Sequence, residues 1–121
     1  MKKSELETRL INFSVSIIEM TKELENCFES QHLSKQIIRS GTAAALIYGE
    51  AQGTPTKKDF IHKISLVMRE LRETHINLRI IDQSRLMLNK GLLNEIMDEN
   101  NQLIAIFTKT LQTAIQNEKR G

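Results

Sequence analysis

The sequence predicts an all-α protein, an antiparallel up-down-up-down bundle of four helices in one domain spanning residues 1–121. Three observations carry this. Apolar residues recur at alternating spacings of three and four over four long stretches, the period of an amphipathic helix. One Pro and five Gly in 121 residues leave little punctuation for a β-rich fold. The stretches are long and their connections short, which favours neighbouring antiparallel helices.

The first stretch starts at Ser4, read as an N-cap with Glu7 completing a capping box. Its stripe is Leu6, Leu10, Phe13, Ile17, Met20 and Leu24, and its outer face is acidic, with Glu5, Glu19, Glu23, Glu25 and Glu29 against Arg9 and Lys22. The second runs from near Ser30 to Ala51, with Leu33, Ile37, Ala44, Tyr48 and Ala51 as its stripe. Gly41 inside it costs about 1 kcal/mol relative to Ala, so a packing reason is expected. Gln52-Gly53-Thr54-Pro55 breaks the pattern, because Pro55 cannot continue a helix. Thr56 then caps a third helix with Asp59 three positions on, running to about Asp82 along Phe60, Ile64, Val67, Leu71, Thr74, Leu78 and Ile81. Residues 83–91 fit either an extension of this helix or a connection. The fourth helix points Leu93, Ile96, Leu103, Phe107, Leu111 and Ala114 inward and frays from Asn117. Further apolar residues (Ile18, Ile38, Ile61, Met68, Ile76, Ile80 and Ile104) lie beside or opposite these stripes. So wide an apolar arc on a small chain favours an oligomer.

Composition limits the function. With no Trp and one Tyr, aromatic platforms for stacking bases are nearly absent. A net charge of +2 does not by itself imply a nucleic-acid or membrane partner. The single Cys27 forms no internal disulfide and suits a reducing compartment, a small buried or half-buried side chain being its ordinary role. The charged N-terminus lacks the apolar run of a signal peptide, and no stretch reaches the roughly 18 apolar residues of a membrane span. The chain reads as soluble and cytoplasmic.

No reaction is legible. A di-metal bundle needs two Glu-x-x-His motifs, and this chain has one, Glu29 to His32, at a helix junction. His62 and His75 project from different faces. Glu70 and Glu73, one turn apart, are explained by nearby Arg69, Arg72 and Lys63 as ion-paired carboxylates, with Glu73 placed to reach a polar group on the second helix. No catalytic residue, cofactor or metal is expected, and the protein reads as a non-enzyme.

Two surface features remain. Gln36, Ser40, Ala43, Ile47 and Glu50 share one face of the second helix. Gln36, Ser40 and Glu50 read as parts of a buried polar seam. On the third helix Lys58, His62, Arg69, Arg72 and Arg79 fall within about a 100° arc. Residues 57–90 hold eight Lys/Arg against four Asp/Glu, whereas residues 4–30 hold two against six. The acidic first helix of one copy could therefore meet the basic third helix of the next, or the basic stripe could contact RNA or DNA phosphates.

Two blocks, Leu33 to Ala51 (LSKQIIRSGTAAALIYGEA) and Lys58 to Ile81 (KDFIHKISLVMRELRETHINLRII), resemble the bacterial 23S rRNA intervening sequence (S23) family, which is related to accessory variability proteins of diversity-generating retroelements. The resemblance implies a four-helix bundle assembled as a homopentamer without enzymatic activity, and a nucleic-acid role in the strongly basic retroelement members. Gln36, Arg39, Ser40, Glu50 and Ala51 match the family pattern, as do Phe60, Glu70, Glu73, Thr74 and Leu78. Arg39 and Glu73 thereby join the polar seam. Ala43 and Ile47 stand where the pattern has Ser and Asn, and Ile76-Asn77 replaces an aromatic pair.

Overall fold

The computed structural model describes residues 1–120 as four α-helices with no strand among them: α1 Lys3–Thr21, α2 Phe28–Ala51, α3 Lys57–Gln83 and α4 Lys90–Lys119. Each helix packs on its sequence neighbours, and α4 closes back onto α1, while the diagonal pairs α1/α3 and α2/α4 stay apart. The α2/α3 seam is the most extensive and the α1/α4 seam the thinnest.

The predicted stripes form the core. Leu10, Ile17, Met20, Ile37, Ile64, Leu71, Leu78, Ile81, Leu93, Leu103 and Phe107 are all solvent-free. Leu111 packs against the edge of the core and is half-buried, and Ala114 is half-buried where it lines an open cleft with Met1 and Leu6. Met68 joins the core, Ile18, Ile38, Ile61 and Ile104 are half-buried, and Ile76 and Ile80 remain exposed. Gly41 has its packing reason: a Cβ there would lie 3.1 Å from Ile17 Cγ1. The Ser14 hydroxyl donates to the Gly41 carbonyl at 2.9 Å, so α1 and α2 nearly touch at this level.

The helix ends follow the chain's capping chemistry, with three departures from the sequence reading. α1 begins one residue before Ser4, because the Glu5 carboxylate accepts from the Lys2 backbone N–H at 3.4 Å and Ser4 falls inside the first turn. α2 begins at Phe28, so Ser30 is a buried first-turn residue facing the Cys27 thiol at 3.3 Å. α4 runs on helically to Lys119. Thr56 caps α3 as its spacing predicts, its Oγ1 accepting from Asp59 N–H at 3.1 Å.

Of residues 83–91, Gln83 ends α3, residues 84–89 form a connection, and Lys90 and Gly91 open α4. Arg85 adopts a left-handed φ of 59°. The Leu86 N–H donates to the Ile81 carbonyl at 3.3 Å and the Arg85 N–H to the Asp82 carbonyl at 3.1 Å, the paired bonds of a Schellman stop. Leu86 and Met87 drop into the core, and the Asn89 side chain accepts from Leu92 N–H at 3.1 Å to start α4. The Leu86 carbonyl also accepts from Glu25 N–H at 3.1 Å, tying the α1–α2 and α3–α4 connections together. A left-handed non-glycine residue is strained by about 1 kcal/mol. Arg85→Gly is therefore expected to raise the unfolding free energy by about 0.5–1 kcal/mol in urea titration, and a loss of stability would contradict the strain.

Candidate interaction surfaces

A belt of buried polar groups crosses the middle of the bundle. Ser14, Ser40, Thr74 and Asn100 come one from each helix, and all are buried. Ser14 bonds the Gly41 carbonyl across α1/α2. The Ser40 and Thr74 hydroxyls are 2.8 Å apart across α2/α3. Asn100 Nδ2 donates to the Leu71 carbonyl at 3.1 Å across α3/α4. Arg9 completes the circuit across α1/α4, with both its Nε and Nη2 at 2.8 Å from the Glu99 carboxylate and Nη2 also at 2.8 Å from Gln102. Asn100 Oδ1 is buried with no protein partner.

Outside this belt the polar face of α2 meets α3 at the surface. Arg39 binds two carboxylates of α3: Glu70, whose side chain is only 7% exposed, at 3.1 Å, and the exposed Glu73. Arg69 lies 3.8 Å from the other Glu70 oxygen. Glu50 reaches Lys63 at 2.7 Å. Gln36 lies 3.1 Å from His32, and together with Arg39, Glu73 and Asn77 it lines a cleft of about 250 Å³.

The buried seam read from the sequence is thus narrower than predicted. Ser40 is buried, but within one chain Gln36, Arg39, Glu50 and Glu73 are all exposed. Charged and amide groups on the flank of a helix stay hydrated when their tips can reach water, since dry burial would cost each several kcal/mol. The exposed Glu50–Lys63 pair accordingly contributes no more than about 1 kcal/mol. Glu73 does reach α2, through Arg39. The carboxylate buried here is Glu70, and Asn77 and Asn100 are buried with it. Asn100 was detectable: it continues the Ile96, Leu103, Phe107 stripe at i+4 from Ile96. Its polarity hid it among core positions.

Two flanks carry large exposed apolar side chains. Ile11 and Val15 on α1 with Leu46 on α2 form one; Ile76 and Ile80 on the outer edge of α3 form the other; all five are 43–68% exposed. Half-buried Ile18, Ile38 and Ala45 extend the first flank toward the core. Lys58, His62, Arg69, Arg72 and Arg79 are all exposed on the α3 side, interleaved with Ile76 and Ile80. Among the described residues Lys58, Arg72 and Arg79 form no ion pair, so these cations are free to meet a partner.

No group of three His, Cys, Asp or Glu among the described residues could hold a metal. His62 is exposed, His75 is half-buried with Nδ1 unpartnered, and His32 faces Gln36. An open cleft of about 650 Å³ at the α1/α4 end is floored by Leu6, Phe60, Ile106 and Ala114. No described helix is long and apolar enough to cross a membrane.

The comparisons point the same way as the helix pattern. A family model described as 23S rRNA-intervening sequence protein matches residues 2–109. A solved structure from Bacteroides thetaiotaomicron, described as a protein of unknown function from the S23 ribosomal protein family, is similar in fold, with 24% identity and a TM-score of 0.82 over 93% of this chain and 99% of that one. No curated protein matches.

Proposed function

The chain belongs to the 23S rRNA-intervening sequence protein family, and we propose that it works as a non-enzymatic, self-assembling helical bundle, an interaction or scaffold protein whose working form is a homo-oligomer. The observation that carries this reading is the pair of exposed apolar flanks, Ile11/Val15/Leu46 and Ile76/Ile80, on so small a chain. Scattered apolar residues are ordinary on a monomer, but grouped ones mark contact surfaces. Neither family description names an enzymatic activity. The homopentamer is the subunit number that the family resemblance of the two sequence blocks suggests. Sedimentation velocity at micromolar concentration tests the reading: an oligomer well above the 13.9 kDa chain mass is expected, and a stable monomer would remove it.

A second reading has its own observation. Five basic residues lie exposed on one side of α3, four of them outside any ion pair among the described residues. We propose RNA or DNA as the alternative partner, held through phosphates by Lys58, His62, Arg69, Arg72 and Arg79. Affinity for a structured RNA should then fall steeply as salt rises. Absence of binding at low salt would exclude it.

A further inference from the structure

We propose that the open cleft at the α1/α4 end of the bundle is a binding site for a small anionic amphiphile, a free carboxylate carrying an apolar tail. The α1/α4 seam is the thinnest in the bundle, and this is where it parts. The apolar lobe, about 650 Å³, is floored by Leu6 of α1, Phe60 of α3, and Ile106 and Ala114 of α4. A second lobe of about 390 Å³ lies beside it at the Pro55 turn, and the two share Phe60, Ala114 and Asn117. Both volumes fall within the roughly 300–1,000 Å³ of small-molecule sites, whose usual lining is an apolar floor with a few polar groups. Leu6 is buried, but Phe60, Ile106 and Ala114 are only half-buried, so the floor keeps apolar surface for a ligand's tail to cover.

Charge selects the head group. Lys109 lines the first lobe, and Lys3 and Lys57 line the second. All three are exposed, and none forms an ion pair among the described residues. No Asp or Glu lines either lobe. Glu118 lines an adjoining cleft, where it meets both Lys57 and Lys58, so that neighbourhood stays cationic. The surrounding segments have the same sign: residues 2–7, 50–63 and 109–120 together hold eight Lys/Arg against five Asp/Glu. Of those acids, Glu50 is paired with Lys63 and Glu5 accepts from its own helix start. Lys57 Nζ donates to the Asn117 carbonyl at 3.3 Å and keeps two further N–H groups for a carboxylate. Gln52, Thr54 and Thr56 add hydrogen-bonding groups around the second lobe. The head group therefore belongs in the second lobe and the tail in the first, joined over Phe60 and Ala114.

The test is titration of the full chain with sodium decanoate below its micellar range, followed by amide NMR. Saturable binding is expected, with the Phe60, Ile106 and Ala114 signals moving and those of the Arg85 turn still. Decylamine, a cation with a tail of the same length, is expected to bind at least about tenfold more weakly. Lys3→Gln/Lys57→Gln alters two exposed residues, so it should keep wild-type helicity by circular dichroism. It should weaken decanoate by about tenfold, the loss of two surface ion pairs, and leave binding of uncharged decanol unchanged. Ala114→Trp fills the wall common to both lobes and should abolish binding of decanoate and decanol alike. Shifts that do not saturate or that lie outside the cleft would overturn the proposal. So would decylamine binding as tightly as decanoate, or a lysine variant that binds decanoate like wild type. Anionic phospholipid vesicles that sediment the protein, when decanoate leaves the cleft signals unmoved, would also overturn it and assign the lysines to a membrane surface.

Discussion

Phe107→Ala lowers the unfolding free energy by about 3–5 kcal/mol in urea titration, the cost of truncating a fully buried aromatic ring. Phe107 is solvent-free, and its ring meets Tyr48 edge-on with centroids 5.4 Å apart at 77°. Tyr48 is on α2 and Phe107 on α4, a diagonal pair whose backbones do not approach. The two rings therefore fill the centre that no backbone contact fills, and alanine at 107 would leave a cavity whose lining helices are held apart by their own neighbours. Such sites collapse poorly, which places the cost toward the upper part of the range. With a total stability of about 5–15 kcal/mol for a domain of this kind, the variant approaches the unfolding threshold. Phe28→Ala is the control: Phe28 is highly exposed, and its truncation should shift stability by less than about 0.5 kcal/mol. Equal effects at the two sites would contradict the packing described.

The second large effect lies in the polar belt. Asn100 is solvent-free, donates to the Leu71 carbonyl and leaves Oδ1 unpartnered. Asn100→Asp keeps the size and introduces a buried charge, and the belt's one cation, Arg9, is already engaged by Glu99 and Gln102. A loss of about 3–5 kcal/mol is expected at neutral pH. The sign of its pH dependence follows from burial, which holds the folded-state pKa of this aspartate above its unfolded value near 4. The variant should thus stand nearest to wild type below about pH 4, with the deficit growing as pH rises through and above that value. Asn100→Leu removes the unpartnered oxygen and the hydrogen bond together, and should be neutral or stabilising by about 1–2 kcal/mol. A leucine variant as damaged as the aspartate variant would show that the Asn100 hydrogen bond, rather than desolvation, dominates.

Much of the bundle was legible because its helices are regular. Leu10, Ile17, Leu71, Leu78 and Leu103 announce their faces by spacing alone, and Thr56 with Asp59 announces a helix start. What escaped detection depends on the third dimension. Arg85 ends α3 in a conformation usually given to glycine, so residues 84–88 carry no Gly or Pro to mark the stop. Cys27 and Lys2 occupy N-cap positions that sequence preference assigns to Ser or Asp. Gln36 and Glu50 share a helical face with Ser40, yet one turn of distance from the bundle axis decides which is wet. Ser40 is short and ends inside, whereas Glu50 reaches past the seam to Lys63. Periodicity gives direction around a helix axis and says nothing of how far a flexible side chain extends along it. Asn100 shows the converse: its register was correct for the core, and its chemistry argued against it.

An even number of antiparallel helices returns the chain to the end it left, and Met1 and Asn117 accordingly line one cleft. The turn at Pro55 lies at that end, and the Arg85 stop with exposed Leu88 lies at the other. A ring joined through helix flanks would gather every copy's two termini on one rim and every Arg85 turn on the opposite rim. Such a ring has two chemically different faces, and a fused tag or domain at either terminus would decorate one of them and leave the other bare.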